Sequence, residues 1–201
     1  ECCLYDLGAG LVRPVGSVEE TLRLNERIPG SVLIGERGGA RIEGFDYGNS
    51  PSTMTREAIC GRTILHTTSA GTQGVVNAVH AEEIITGSLV NAAAVAAYIA
   101  GRQPREVSLV CMGTAGIAPA AEDELCAAYI ESLLRGEPME DIAQRAAALQ
   151  YGGGAHFFDP AKQHIYPEAD FHFCIRRDVF PFVLRVEKDE LGLVSRQVCC
   201  V

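Results

Sequence analysis

The sequence lacks several features that would assign it to a class at once. No segment approaches the ~20 consecutive apolar residues of a membrane-spanning helix. The eight cysteines show no paired CxxC spacing and are scattered, apart from the neighbours Cys2-Cys3 and Cys199-Cys200. A chain of 201 residues does not need disulfide bonds to fold, so we expect free thiols in a reducing cytoplasm. The sequence therefore argues against a membrane protein and against a cysteine-based metal site.

Basic residues are also in the minority. The chain has 17 Lys and Arg against 26 Asp and Glu, which gives a net charge of -9. This balance argues against nucleic acid or an anionic membrane surface as a partner. A small anionic ligand would need local positive charge from arginines, helix N-termini or a divalent cation. Because 47% of the residues are hydrophobic, the chain can bury the core of one domain with at most a small extra lobe.

Short apolar runs alternate with helical patterns along the first 150 residues. This alternation predicts a three-layer α/β/α fold with a mostly parallel sheet. The tail from Asp170 alternates apolar and polar residues, which indicates antiparallel strands at an edge. We expect residues 1–150 to form the α/β core and residues 151–201 to be an extension on the same domain. Strands are predicted at 11–15, 31–35, 63–68, 83–87 and 107–113, and helices at 18–28, 73–80, 89–101, 122–136 and 139–150.

Three of the predicted strands are followed by glycine together with Ser or Thr. The turns read SAGTQG at 69–74, GSLVN at 87–91 and GTAG at 113–116. In a parallel sheet such turns gather at the carboxyl edge, where backbone N–H groups and hydroxyls can bind an anion. A single turn of this kind is weak evidence, because tight turns favour the same residues for backbone reasons. Three of them together favour an anion site.

Acidic residues near these turns are candidates to hold Mg²⁺, which balances the charge of a bound phosphate. Glu43 and Asp46 lie in the glycine-rich stretch GERGGARIEGFDYGNSP at 35–51, and Glu122 and Asp123 begin a predicted helix. Each has a structural alternative. Acids in a first helical turn complement the helix dipole, residues 43–46 fit a solvated loop, and Glu36 with Arg37 fits a surface salt bridge.

The motifs GERGGARIEGFDYGNSP, TTSAGTQG, GSLVNAAAVA and MGTAG followed by ED occur in that order. In this order they resemble the 2-phosphosulfolactate phosphatase family, the ComB-like proteins, over roughly residues 1–135. The resemblance implies an α/β, Mg²⁺-dependent acid phosphatase that converts 2-phospho-3-sulfolactate to sulfolactate and phosphate on the way to coenzyme M. It also implies a possible homodimer.

With this chemistry in view, we predict a role for each candidate. The predicted catalytic residues are Glu43, Asp46 and Asp123, and the predicted metal ligands are Asp46, Glu43 and Glu122. The predicted substrate-binding residues are Arg37, Asn49, Ser50, Thr68, Ser69, Gly71, Thr72, Gly113 and Thr114.

Two departures from the family pattern bear on these expectations. Family members usually carry an N-terminal strand that ends in an Asp-Val-(Leu/Phe)-Arg-Ala motif, and we expect such a segment upstream of Glu1. Many relatives also have Asn where this chain has Ala70, so we expect a related small anionic phosphoester as an equally suitable substrate.

Other functions stay open at this point. One is an anion-binding α/β protein without catalysis. Another is a nucleotide-binding enzyme, although no strand is followed by G-x-G-x-x-G and no P-loop motif occurs. A cysteine phosphatase would need Arg six residues after Cys111, where Ile117 stands, so we expect Cys111 to be a buried core thiol. Covalent attack by an aspartate is a further open alternative.

Overall fold

A computed structural model describes residues 1–137 and 139–199. Within these residues the chain forms eight α-helices, of which none is both long and apolar enough to cross a bilayer. The helices are α1 Cys2–Asp6, α2 Val18–Arg27, α3 Arg56–Ile59, α4 Gly71–Asn77, α5 Ala92–Arg102, α6 Ala121–Leu134, α7 Ile142–Ala148 and α8 Glu168–Cys174. Short 3-10 helices cover Pro51–Thr53, Leu89–Asn91, Leu149–Tyr151, Ala155–Phe158 and Pro160–Lys162.

The described residues also form seven strands, which belong to one mixed sheet of order β3-β2-β4-β1-β7-β6-β5. Strand β4 pairs in parallel with both β1 and β2, whereas β3 pairs antiparallel with β2 and β7 pairs antiparallel with β1. The predicted α/β fold with a parallel core and antiparallel strands from the tail is thereby confirmed. The strands are β1 Leu11–Pro14, β2 Val32–Arg37, β3 Ala40–Arg41, β4 Thr63–Thr67, β5 Ile84–Thr86, β6 Phe182–Asp189 and β7 Gly192–Cys199.

By their internal contacts the residues group into two compact units. Among the described residues, unit 1 comprises Glu1–Ile84 and Leu184–Gln197, and unit 2 comprises Ile85–Val183 with Val198 and Cys199. These boundaries differ from the division at residue 150 in our sequence-based description, which stays a prediction.

The core of unit 1 lies on both faces of its parallel strands. Ile34 and Ile64 pack on one face with side chains of α1 and α3, while Leu33 and Leu65 pack on the other face with Leu24 of α2. Successive strand residues point to opposite faces, so an unbroken apolar run is what a strand covered by helices on both sides requires. Within unit 1 the predicted helix–sheet–helix layering is therefore present.

Unit 2 has a separate core that is mainly helical. Residues of α5, α6 and α7 form it together with Leu89 and one residue of β6, and it includes Val95, Ile130, Ile142 and Val183. Asp178 ties two of these helices together, since its carboxylate accepts hydrogen bonds from the Ala93 N–H at 2.7 Å and from the Tyr129 hydroxyl at 2.7 Å.

One predicted strand is wrong, and the strands of the tail begin later than predicted. Residues 107–113 form no strand, and Val107 and Val110 are 43% and 73% exposed. Their composition is typical of a strand, but strand preference reflects packing against neighbouring strands, which this segment does not have within the described chain. The tail does not become extended at Asp170 either, because Glu168–Cys174 forms α8, with Glu168 and Asp170 in the first turn where acids favour a helix.

Candidate active site

Three parallel strands of unit 1 end at the same edge of the sheet. Strand β1 leads to Gly16, β2 ends at Arg37, and β4 leads to Thr68. Because β4 pairs in parallel with the other two strands, the residues after all three come together. They line a pocket of about 380 Å³ whose walls are Gly16, Arg37, Thr68, Ser69 and Gln73. Of the three turns predicted to bind an anion, the one at 69–74 lies in this pocket.

Arg37 supplies the only charge in the lining of this pocket. Its Nη1 donates to the backbone oxygen of Glu36 at 2.7 Å, and its Nη2 donates to Thr67 Oγ1 at 3.1 Å. These two bonds hold the guanidinium group at the pocket while the residue stays exposed to solvent. A fixed arginine without a carboxylate in the lining suits an anionic group such as a phosphate.

Glu36 is buried behind this wall, with 8% of its surface exposed. Its Oε1 accepts from the Ser69 N–H at 2.6 Å, and its Oε2 accepts from the Gly39 N–H at 2.8 Å and from the Ser69 hydroxyl at 3.0 Å. The surface salt bridge considered for Glu36 and Arg37 is therefore wrong. One carboxylate instead ties the end of β2 to the turn after β4.

The turn after β4 is closed by a reciprocal pair of threonines. The Thr68 N–H donates to Thr72 Oγ1 at 2.8 Å, and the Thr72 N–H donates to Thr68 Oγ1 at 3.0 Å. Both residues are buried, whereas Gly71 at the start of α4 is exposed. Since the donors of Ser69 already bind Glu36, fewer groups of this turn are free for a ligand than the sequence pattern predicts.

Gly16 and Gln73 are parts of the pocket that sequence reasoning missed. The Gln73 Nε2 donates to the Gly16 oxygen at 2.7 Å and to the Thr68 oxygen at 3.2 Å. Gln73 thereby joins the end of β1 to the end of β4. Their positions in the sequence could have indicated them. Gly16 directly follows the predicted strand at 11–15, and Gln73 belongs to the turn SAGTQG at 69–74.

The predicted residues of the loop at 43–50 lie in unit 1 but outside the lining of this pocket. Asp46 anchors the loop, because its Oδ2 accepts from the Leu33 N–H at 2.8 Å. Glu43 and Asp46 are both exposed. Asn49 Oδ1 lies 3.0 Å from Nε2 of the buried His66, and the Ser50 and Ser52 hydroxyls are 3.3 Å apart.

The remaining predicted residues belong to unit 2. Asp123 and Glu122 lie in the first turn of α6, and Asp123 Oδ2 accepts from the Gly113 N–H at 2.6 Å. Thr114 begins a tight turn in which its N–H donates to the Ala118 oxygen at 2.8 Å. Since residues 107–113 form no strand, this turn is not a strand-to-helix turn of the predicted kind. The prediction that Cys111 is buried in the core is also wrong, because its side chain is exposed.

Carboxylates do not cluster in the described parts of the chain. Across residues 1–137 and 139–199, no three His, Cys, Asp or Glu side chains come together in a way that could hold a metal ion. Mg²⁺ commonly uses one or two carboxylates, with water and substrate phosphate completing its shell. The exposed carboxylates of Glu43 and Asp46 suit that coordination chemically, although one oxygen of Asp46 is already bound to Leu33.

Unit 2 contains a second pocket of about 240 Å³. Three of its seven lining residues, His172, Arg176 and Arg177, are basic, but it contains none of the predicted site residues. It is lined by Leu89, Ile142, Ala143, His172, Ile175, Arg176 and Arg177. We therefore take the polar pocket of unit 1 as the candidate active site.

Comparison with known proteins gives one consistent result. The family model of 2-phosphosulpholactate phosphatase matches residues 1–189. A probable 2-phosphosulfolactate phosphatase of Thermotoga petrophila is 35% identical over 185 residues, which cover 88% of this chain and 78% of the relative. Proteins of the same description from Caldicellulosiruptor saccharolyticus and Clostridium acetobutylicum are 35% and 30% identical, over 85% and 92% of this chain and 77% and 83% of the relatives.

Proposed function

Because the chain belongs to the 2-phosphosulfolactate phosphatase family, we propose that it is a phosphoric monoester hydrolase. Its substrate is 2-phospho-3-sulfolactate or a related small anionic phosphoester, which it cleaves to the alcohol and phosphate. The observation that carries this proposal is the pocket at the carboxyl edge of β1, β2 and β4, in which Arg37 is the charged group and no carboxylate lines the wall.

The chemistry requires little covalent participation of the protein. Hydrolysis of a phosphoester depends on positioning the attacking water in line with the leaving oxygen and on neutralising charge. Arg37, held by the Glu36 oxygen and by Thr67, binds the phosphoryl oxygens. The backbone around Ser69 is fixed by Glu36, so the wall that faces the substrate does not need to rearrange during the reaction.

Mg²⁺ is part of the proposal, with Asp46 and Glu43 as the residues of unit 1 that would hold it. Both carboxylates are exposed. Asp46 Oδ2 accepts a hydrogen bond from the Leu33 N–H, which leaves Asp46 Oδ1 and the Glu43 carboxylate for the ion. Beside the substrate such an ion would neutralise phosphoryl charge, but Asp46 is anchored at Leu33 near the start of β2, whereas Arg37 ends that strand. Asp123 and Glu122 of unit 2 remain predicted participants, as do Asn49 and Ser50 in the loop of unit 1. Dimer formation, a cytoplasmic location and a role in coenzyme M synthesis also stay predictions.

Phosphate release tests the proposal. The purified chain is assayed with 2-phospho-3-sulfolactate, 2-phospholactate and phosphoglycolate, each with Mg²⁺, with a chelator, and with Mg²⁺ restored. We expect turnover that the chelator lowers at least about tenfold and that Mg²⁺ restores. If the chelator does not lower turnover, the proposed Mg²⁺ requirement is wrong, while the proposed phosphatase activity stands. No release from any substrate, together with phosphate binding by calorimetry, would show an anion-binding protein without catalysis.

A further inference from the structure

Gln73 has an amide group whose orientation is set by its neighbours. Its Nε2 lies 2.7 Å from the Gly16 oxygen and 3.2 Å from the Thr68 oxygen. Both partners are carbonyl groups, which only accept hydrogen bonds, so the NH₂ end of the amide must face them. The Oε1 atom therefore occupies the other position of the amide.

The Oε1 atom of Gln73 is an open hydrogen-bond acceptor. No donor within residues 1–137 and 139–199 bonds to it, and it is not among the buried polar atoms that lack a partner. An unpaired atom that is not buried must be accessible to solvent. Gln73 is also one of the five residues that line the pocket of unit 1.

The other side-chain groups of the pocket wall are donors or are already engaged. Arg37 can only donate. The Ser69 hydroxyl donates to Glu36, and Thr68 Oγ1 accepts from the Thr72 N–H. A phosphoester presents acceptor oxygens, which donors bind, whereas an attacking water must donate a hydrogen bond if it is to be held with a lone pair toward phosphorus. Gln73 Oε1 is the side-chain atom of this wall that is suited to that water.

We propose that Gln73 is a catalytic residue whose Oε1 accepts a hydrogen bond from the attacking water and orients it toward phosphorus. This assignment rests on the proposed phosphatase function. A water lone pair forms the new P–O bond while the ester P–O bond breaks and its electron pair leaves with the alcohol oxygen. A neutral amide is not a base, so one water proton stays on the phosphate and the other reaches the alcohol oxygen through solvent.

The anchoring of Gln73 fits this role. Its two carbonyl partners follow different strands, β1 and β4, so the amide is fixed relative to the sheet edge rather than to a single loop. Catalytic positioning depends on such rigidity, since a displacement of about 1 Å can cost ~10²-fold in rate. The same geometry explains why a glutamine rather than a shorter asparagine stands at this position, because the side chain must reach from α4 back to Gly16.

The test is Gln73→Met, which keeps the length of the side chain and removes both polar atoms. We expect kcat to fall about 100-fold, while KM and the inhibition constant of inorganic phosphate stay within about threefold, because the phosphoryl group is bound by other residues. The matched control is Asn77→Met on the same helix, where the exposed Asn77 amide donates to the Gln73 backbone oxygen at 2.8 Å. This control should stay within about threefold of wild type in all three constants.

Several results would overturn the assignment. Gln73→Met with near-wild-type kcat would remove Gln73 from the chemistry, and an equal loss of kcat and phosphate binding would show a structural or phosphate-binding role. Wild-type chain that hydrolyses no phosphoester would overturn the proposed function and this inference together, whereas an active wild type with an active variant overturns only the inference. If Gln73→Met does not fold, Gln73→Asn serves the same comparison, since its shorter amide withdraws the acceptor while it stays polar.

Discussion

Glu36 and Ser69 are joined by two hydrogen bonds that use both oxygens of one buried carboxylate. Oε1 accepts from the Ser69 N–H at 2.6 Å, and Oε2 accepts from the Ser69 hydroxyl at 3.0 Å. Oε2 also accepts from the Gly39 N–H at 2.8 Å. A negative charge that is nearly removed from water is tolerated because three donors surround it. The acidic residue of the glycine-rich stretch that contacts the pocket wall is thus a structural anchor.

Replacing Glu36 by Gln should destabilise the protein and lower its activity. The amide keeps one acceptor oxygen but puts an NH₂ group where the carboxylate accepted a bond, so at least one donor loses its partner. We expect the free energy of unfolding to fall by about 1–3 kcal/mol, in chemical denaturation. Glu26→Gln, at an exposed position of α2, is the control and should change it by less than about 0.5 kcal/mol. Equal stability of the two variants would contradict the anchoring role.

Arg37 should determine how strongly the pocket binds a phosphoester. Removing a charge-assisted hydrogen bond costs about 1.5–3 kcal/mol, so Arg37→Ala should lower kcat/KM by roughly 10- to 100-fold and weaken inhibition by phosphate to a similar extent. Arg37→Lys should recover part of this loss, because it keeps the charge but not the planar fork. Arg23→Ala, at an exposed position of α2, controls for the change in net charge. Unchanged phosphate inhibition in Arg37→Ala would place the anion elsewhere.

Asp46 should affect the metal requirement if it holds Mg²⁺. Asp46→Asn keeps an oxygen that can accept from the Leu33 N–H, so the loop and the free energy of unfolding should be nearly unchanged. The Mg²⁺ concentration that gives half-maximal rate should rise about 10- to 100-fold, since the ion loses a charged ligand or its support. Asp6→Asn, at the exposed end of α1, is the control. A Mg²⁺ titration that superimposes on that of wild type would limit Asp46 to anchoring the loop.

The fold could be predicted from sequence where local pattern and tertiary structure agree. The apolar runs that form β2 and β4 are flanked by turn residues and are buried on both faces. Their local sequence is therefore enough to predict these two strands. The carboxyl-edge rule likewise brought Ser69 of the turn at 69–74 to the pocket, where Thr68 and Arg37 also lie, but not the turns at 87–91 and 113–116. Residues 107–113 have the same kind of composition, but a strand also needs a neighbour, and sequence composition does not reveal whether one is present.

The missed parts of the site depend on contacts between distant residues. Gln73 donates hydrogen bonds to the carbonyl groups of Gly16 and Thr68, which are 57 and 5 residues away in sequence. Glu36 accepts a hydrogen bond from Ser69, which is 33 residues away. Nothing in the local pattern distinguishes these side chains from ordinary polar residues of a turn or a strand end. Their roles appear only once β1, β2 and β4 are placed side by side.

Acid stability should depend on Asp189 at the end of β6. Arg13, which is buried in β1, donates to its carboxylate at 2.9 and 2.5 Å, and the Leu191 N–H donates to it as well. These hydrogen bonds lower the pKa of Asp189 from its ordinary value of 3.8 to about 2, and the bond from Arg13 has the largest effect. Since the folded state holds the lower pKa, the stabilisation is complete above about pH 4 and is lost as the pH falls through 2.

Asp189→Asn should therefore be less stable than wild type by about 1–2 kcal/mol at neutral pH, because the guanidinium of Arg13 loses its counterion. The loss is smaller than for a fully buried pair, since the Asp189 side chain is 34% exposed and solvent screens its charge. The difference between the two proteins should shrink between about pH 4 and pH 2, since wild type loses the same interaction on protonation. Denaturant unfolding at a series of pH values measures it. Asp141→Asn breaks an exposed pair with Arg145 at 2.9 Å and should leave stability nearly unchanged at every pH. A wild-type-minus-variant difference that is constant from pH 7 to pH 2 would show that the charge of Asp189 does not stabilise the fold.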